Sequence, residues 1–221
     1  MAGIRVYLEN GAKRNFACAL DWPGWCRSGR GEEAALAALA AAGPRYAAVT
    51  REAGLAFPEA ASAGSPNFEV TERLPGGGGT DFGVPEAQAS GDGAALSGEE
   101  TEKLTSLVAA SWKVLDAVAA SAPAELRKGP RGGGRDRDAI VAHVLGAEAA
   151  YSRKLGLRLS EPDAADGAAV GAFRKAILGA LRAAPPEAGG AKRWPVRYAA
   201  RRIAWHVLDH AWEIEDRSRP A

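Results

Sequence analysis

The chain of 221 residues contains three histidines, His143, His206 and His210, each within a stretch of helical patterning. His206 and His210 are four apart, which puts both imidazoles on one helix face with Cβ atoms about 6 Å apart. Two imidazoles at that spacing can chelate one ion, because metal–nitrogen bonds are about 2.0–2.1 Å long. His143 sits among the apolar positions of another helix, beside Val144 and Ala147. Three inward histidines from two packed helices are what a metal site in a helical core needs. Three neutral imidazoles leave a divalent ion its full charge and open positions, as in catalytic rather than structural sites. The plainer alternative is three unrelated side chains: a hydrogen-bonded core His143 and two interfacial rings.

Other residues qualify for roles around such a site, and none is assigned as the catalytic group. Arg202 lies one turn before His206 and could hold a substrate carboxylate; alternatively it is a solvated member of the basic run Arg197, Arg201 and Arg202. Glu213 follows His210 by one turn and could orient its ring, although a helical pair with Arg217 explains it equally well. Tyr151, two turns beyond His143, is a candidate proton donor or a rim tyrosine of the core. Trp112, Trp205 and Trp212 read as packing, with Trp112 also a candidate for lining a pocket. Cys18 and Cys26 read as small buried hydrophobes, since no histidine precedes residue 143 to activate a thiol. The basic loop Arg127–Arg137 lacks a phosphate-binding or dinucleotide fingerprint, and is read as a solvated loop at the mouth of a pocket.

The positioning elements follow from patterning. Leu104, Leu107, Val108, Trp112, Leu115 and Val118 recur at helical spacing and predict a helix over 99–120. A second is expected from about Arg135 to Leu155, and a third is marked by Val170, Phe173, Ile177 and Leu181. Pro185-Pro186 and Gly189-Gly190 break the chain before a fourth, from Val196 to Arg217. Four long helices joined by breaker-rich loops is the arithmetic of a four-helix bundle. The beginning of the chain differs. Ile4–Leu8 and Phe16–Leu20 flank the hairpin signal Asn10-Gly11, and a turn at Asp21–Trp25 follows. Gly31-Glu32-Glu33 opens a helix that Gly43-Pro44 is expected to stop, and Phe68–Glu72 alternates like a further strand. The fold class expected is therefore α+β. A small β-β-α-β unit spans 1–75, a Gly/Pro-rich linker 76–98 and an all-α up-down four-helix bundle 99–221. Within the linker, Thr80-Asp81-Phe82-Gly83 is expected to dock on something. The Trp22/Trp25 pair, needing burial, is expected to bring the first unit into contact with the helices.

Composition narrows the classes. Charge is balanced, with 28 Lys+Arg against 27 Asp+Glu, which argues against nucleic-acid or polybasic membrane binding. A 47% hydrophobic content supports a packed core. No run is read as the roughly 20 apolar residues of a membrane span, and the start of the chain shows no signal-peptide core. Two cysteines are too few for a disulfide scaffold. A cytoplasmic protein is expected.

Two resemblances sharpen this picture. Residues Asp138–Glu148, containing His143, and Arg202–Glu213, containing the His206/His210 pair, resemble the DinB/YfiT-like superfamily of metal-binding four-helix bundles over about 99–217. The resemblance implies His143, His206 and His210 as facial ligands of a divalent ion, zinc, nickel or iron. It further implies activation of a low-molecular-weight thiol such as mycothiol or bacillithiol for transfer or isomerisation. Residues 4–48 are similar to HicB-like domains through Asp21-Trp22-Pro23-Gly24, Ser28-Gly29 and Glu32-Glu33-Ala34, while Trp22 and Trp25 depart from that pattern. No DNA-binding motif accompanies it.

The expected function is thus a metal-dependent enzyme of the DinB-like class, a thiol transferase or isomerase with mycothiol as co-substrate. The alternative is a non-catalytic interaction or regulatory protein with a HicB-like module and a structural or vestigial metal. The expected partner is a small molecule or thiol, without nucleic acid or membrane, bound by a monomer or homodimer.

Overall fold

The computed structural model describes residues 3–129, 133–183 and 193–218. The Pro185-Pro186 and Gly189-Gly190 breaks lie outside them. The protein is mixed α+β, with a four-stranded sheet in the first third and helices thereafter. Strands β1 (Ile4–Asn10) and β2 (Asn15–Ala19) pair antiparallel across the Asn10-Gly11 turn, and β3 (Cys26–Gly29) pairs antiparallel with β2. The sheet closes with β4 (Phe68–Pro75), parallel to β1, in the order β3-β2-β1-β4. A parallel partner requires a crossover. It is supplied by α1 (Glu32–Ala41), α2 (Gly43–Glu52) and the short α3 (Glu59–Ser62).

The unit therefore reads β-β-β-α-α-α-β rather than β-β-α-β. α1 does end at Ala41, where Gly43-Pro44 is expected to stop it, but a second helix begins at once. Pro44 sits in the first turn of α2, where a missing N–H is no loss and its fixed φ suits the helix. Gly43 is there because a Cβ would meet the Ala61 carbonyl oxygen at 2.1 Å.

Both faces of the sheet are covered. Val6, Leu8, Ala17 and Ala19 pack beneath α1 and α2 with Trp25 and Tyr46. Trp25 is fully buried: its Nε1 donates to Leu39 O at 2.9 Å, and its ring stacks on Tyr46. Trp22 meets Phe57 edge-on, with the Lys103 ammonium 3.9 Å from its ring. Tyr7, Phe16, Cys18 and Cys26 face the other way, toward Trp205.

The residues between β4 and the long helices fold back onto the sheet. They contain α4 (Gly78–Phe82) and a 3-10 turn at Ser90–Gly93. The Glu9 carboxylate, buried on β1, accepts the Thr80 hydroxyl and the backbone N–H groups of Glu86 and Ala87. Asp81 accepts Lys13 N at 2.7 Å. The aromatic of this segment does not dock: Phe82 is 87% exposed.

Four long helices follow: α5 (Gly98–Ser121), α6 (Arg137–Lys154), α7 (Gly167–Ala183) and α8 (Val196–Ser218). α5 starts at a capping box, with Glu100 N donating to Ser97 Oγ and Ser97 N to Glu100 Oε2. Leu104, Val108, Trp112, Ile140, Val144, Phe173, Ile177, Ile203 and Val207 draw the four into one apolar core. By length and a mean hydropathy of 1.2, α5 is long and apolar enough to cross a membrane, which the reading of the sequence did not find. Its Leu104, Leu107, Val108 and Leu115 are buried within the protein, as in the core helix of a globular domain.

α8 is the shared wall. Leu208 and Trp212 pack into the core of the sheet unit, while Ile203, Val207 and Ile214 pack into that of the helices. Arg27 pairs with Asp209 at 3.0 Å and lies 3.9 Å from the Trp212 ring, and Arg45 reaches Glu215 and Asp216.

Candidate metal centre

The three histidines converge where α6 crosses α8. Ile140 and Val144 of α6 are buried in the same apolar core as Ile203 and Val207 of α8, which sets the rotation of each helix. That rotation turns His143 toward the His206/His210 face. Ring centroids are 5.2 Å apart for His143–His206, 4.9 Å for His143–His210 and 4.7 Å for His206–His210. One ligating atom from each lies within 4.8 Å of the other two. Nitrogens sharing one ion stand about 3 Å apart at the bond lengths of imidazole ligands, so small ring rotations suffice to close the set.

The protonation states suit the same role. Burial holds His206 far down, at about 2, assisted by the neighbouring rings and by the Arg202 and Arg135 cations. His143 is also lowered, by burial first and then by His210 and Arg135. Both rings are neutral at pH 7, so each offers a lone pair. His210 Nδ1 lies 2.8 Å from Glu213 Oε2. An ionised carboxylate only accepts, so Nδ1 carries the proton and Nε2 is left free for an ion. The bond from His210 is the main reason the Glu213 carboxyl stays below its ordinary range, with Arg217 Nη1 adding a second at 2.6 Å. His206 Nδ1 is buried without a hydrogen-bond partner. A buried polar atom left unsatisfied is costly, and an ion at this point would satisfy it.

Around the rings stand the other candidates. The Tyr151 ring is 5.8 Å from His206 and 5.1 Å from Trp194. The Arg202 guanidinium lies 5.5 Å from Tyr151 and 4.9 Å from Trp205, and its Nη1 donates to Pro85 O at 2.7 Å. The basic run is not simply solvated, because each member has its own partner. Arg197 pairs with Glu100 at 2.9 Å, and Arg201 is buried against Asp92 at 2.6 Å. Glu213 fills both roles that its position allowed, orienting His210 and pairing with Arg217.

Trp205 meets Phe16 of the sheet edge-on at 6.2 Å and lies 6.1 Å from His206. Trp212 is core. Trp112 is buried on the far side of α6, donating from Nε1 to Glu148. Cys18 and Cys26 are buried and free. The basic loop borders a groove lined by Arg127, Lys128, Gly134, Glu213 and Arg217.

Two charged groups had no individual role assigned from the sequence, although Arg135 belongs to the basic loop placed at the pocket mouth. Arg135 precedes α6, yet its charge acts on both His143 and His206; two turns of spacing to His143 were the available signal. Glu148 is fully buried, and burial pushes its carboxyl up to about 7. Its place in the apolar stretch Val144–Tyr151 was the available signal. Comparison of the chain with protein families, with curated proteins and with solved structures finds no match.

Proposed function

We propose that the chain is a divalent-metal-dependent enzyme of the DinB-like class, with α5–α8 as its up-down four-helix bundle and His143, His206 and His210 as ligands of zinc, nickel or iron. The observation that carries this reading is the convergence of three histidine ligand atoms, from two packed helices, within 4.8 Å. The pre-set tautomer of His210 and the orphaned Nδ1 of His206 support it.

A bound divalent ion would supply Lewis acidity and hold a thiol as its thiolate. The substrate class is a low-molecular-weight thiol, with mycothiol as the co-substrate expected, used for transfer or isomerisation. Glu213 fixes the His210 ring. Tyr151 and Arg202 stand beside His206, where a phenol can move a proton and a guanidinium can hold an anionic group. Arg135 adds positive charge at the same site.

The HicB-like unit packs on the opposite side of α8 through Trp205, Leu208 and Trp212. Its role in this reading is to brace the helix that carries two of the three ligands. A cytoplasmic location is part of the proposal.

Elemental analysis of untagged protein beside the His143→Ala and His206→Ala variants tests the reading. Near-stoichiometric metal in the parent, lost in both variants, is the expected result, followed by thiol-dependent turnover. A parent chain that takes up no zinc, nickel or iron on titration overturns it. A metal whose removal unfolds the chain, with no thiol-dependent activity, favours the non-catalytic reading, because structural binding energy is folding energy.

A further inference from the structure

Cys18 and Cys26, the two cysteines of the chain, are directly opposite one another on the antiparallel strands β2 and β3. Ala19 N donates to Trp25 O at 3.0 Å, so the neighbouring residues are hydrogen-bonded and the cysteine pair is not. Cα atoms at such a position stand about 4.5 Å apart, and the side chains approach most closely there. Disulfides close over Cα separations of about 4.4–6.8 Å without backbone movement. Both side chains leave the same face of the sheet, into the cluster of Tyr7, Phe16, Ala89 and Trp205. Tyr7 is the register partner of Cys18 on β1, so Tyr7, Cys18 and Cys26 lie side by side on that buried face.

The pair also borders a cavity of about 20 Å³ lined by Tyr7, Tyr198, Arg201 and Trp205. That is room for one water-sized molecule. The Arg201 guanidinium is close enough to Cys18 for their charges to interact, while Cys26 is held protonated by burial. The two sulfurs therefore differ. Cys18 shares the cavity with the Arg201 cation, and Cys26, opposite it on β3, is pushed up by burial.

We propose that Cys18 and Cys26 form a redox-active pair that closes to a cross-strand disulfide when hydrogen peroxide reaches the adjoining cavity. The Cys18 thiolate attacks one peroxide oxygen, the O–O bond breaks, and hydroxide leaves, taking a proton to become water. Cys18 is then a sulfenic acid. The Cys26 sulfur attacks Cys18 Sγ and displaces the sulfenic oxygen, which leaves as a second water with the Cys26 proton. Two thiols lose two electrons in total, and one peroxide is reduced to two waters. A thiol reductant reverses the closure by exchange.

The test treats intact full-length protein with hydrogen peroxide, denatures it and alkylates the remaining thiols. The expected result is loss of both alkylation sites in a monomer lighter by two hydrogens, a cross-linked peptide containing Cys18 and Cys26, and recovery of both sites after dithiothreitol. The Cys26→Ser variant should stop at a Cys18 sulfenic acid that dimedone traps. Two fully alkylated thiols after peroxide overturn the proposal, as does a product confined to sulfinic or sulfonic acid, or a disulfide formed between chains.

Discussion

His210 Nδ1 donates to Glu213 Oε2 at 2.8 Å across one turn of α8, and the same carboxylate accepts Arg217 Nη1 at 2.6 Å. The histidine is thereby locked in one tautomer and one orientation by a group that is itself held in place. Outer partners of this kind raise ligand basicity and fix the ring. Glu213→Gln keeps the shape while removing the charge, and is expected to weaken metal binding about 10- to 100-fold. Chelator competition measures it. Because Glu213 is half-exposed on a helix surface, the fold should survive, so unchanged affinity would mean that His210 does not bind through Nε2.

Glu148 makes a prediction that involves no metal. Its carboxyl is fully buried, takes the Trp112 indole N–H and leaves Oε2 without a partner. Burial raises it from 4.5 to about 7. The folded state therefore binds the proton more tightly than the unfolded chain. The stabilisation is complete below pH 4.5, falls as pH rises toward 7, and is gone above it. That difference corresponds to roughly 3 kcal/mol. Chemical denaturation across this window should show parent stability declining relative to Glu148→Gln, with the difference constant above pH 7. A parallel pair of curves would show that folding does not raise the Glu148 carboxyl.

The mixed α+β class and the long helices were legible because amphipathic periodicity and the Asn10-Gly11 hairpin are local signals. His206 and His210 needed only a spacing of four. Other features depend on contacts distant in sequence. Gly43-Pro44 has the composition of a helix stop, and only the Ala61 carbonyl against Gly43 shows it to be a helix junction. The glycine run at 76–79 looks like a spacer until Glu9, on β1, is seen to accept Thr80, Glu86 and Ala87. Arg135 acts on two histidines only because α6 and α8 cross.

The ion pair between Arg201 and Asp92 is buried, with side chains 7% and 3% exposed and a separation of 2.6 Å. Asp92 Oδ2 also accepts Ala89 N, so this one carboxylate ties the 3-10 turn to α8. Removing one partner leaves the other charged in an apolar setting. Asp92→Ala is expected to cost about 3–5 kcal/mol. Replacing both residues, as Arg201→Met with Asp92→Ala, should cost less than Asp92→Ala alone. Urea midpoints of the two variants decide it, and a double variant no more stable than the single would show that Arg201 contributes packing beyond its charge.

Gly24 is where the Asp21–Trp25 turn touches α8. Its φ of +91 is a left-handed value that favours glycine, and a Cβ there would meet Leu208 Cδ1 at 2.6 Å and Ala204 at 3.2 Å. Two separable costs follow for Gly24→Ala: backbone strain, of about 1 kcal/mol or more, and a clash with the helix that presents His206 and His210. Leu208→Ala removes only the second. Thermal denaturation should show Gly24→Ala destabilised. The combined Gly24→Ala, Leu208→Ala variant should lose less than the sum of the two single changes, because the residues are in contact and the truncated side chain makes room for the new methyl. Strict additivity would mean that the turn lifts away from α8 rather than clashing with it.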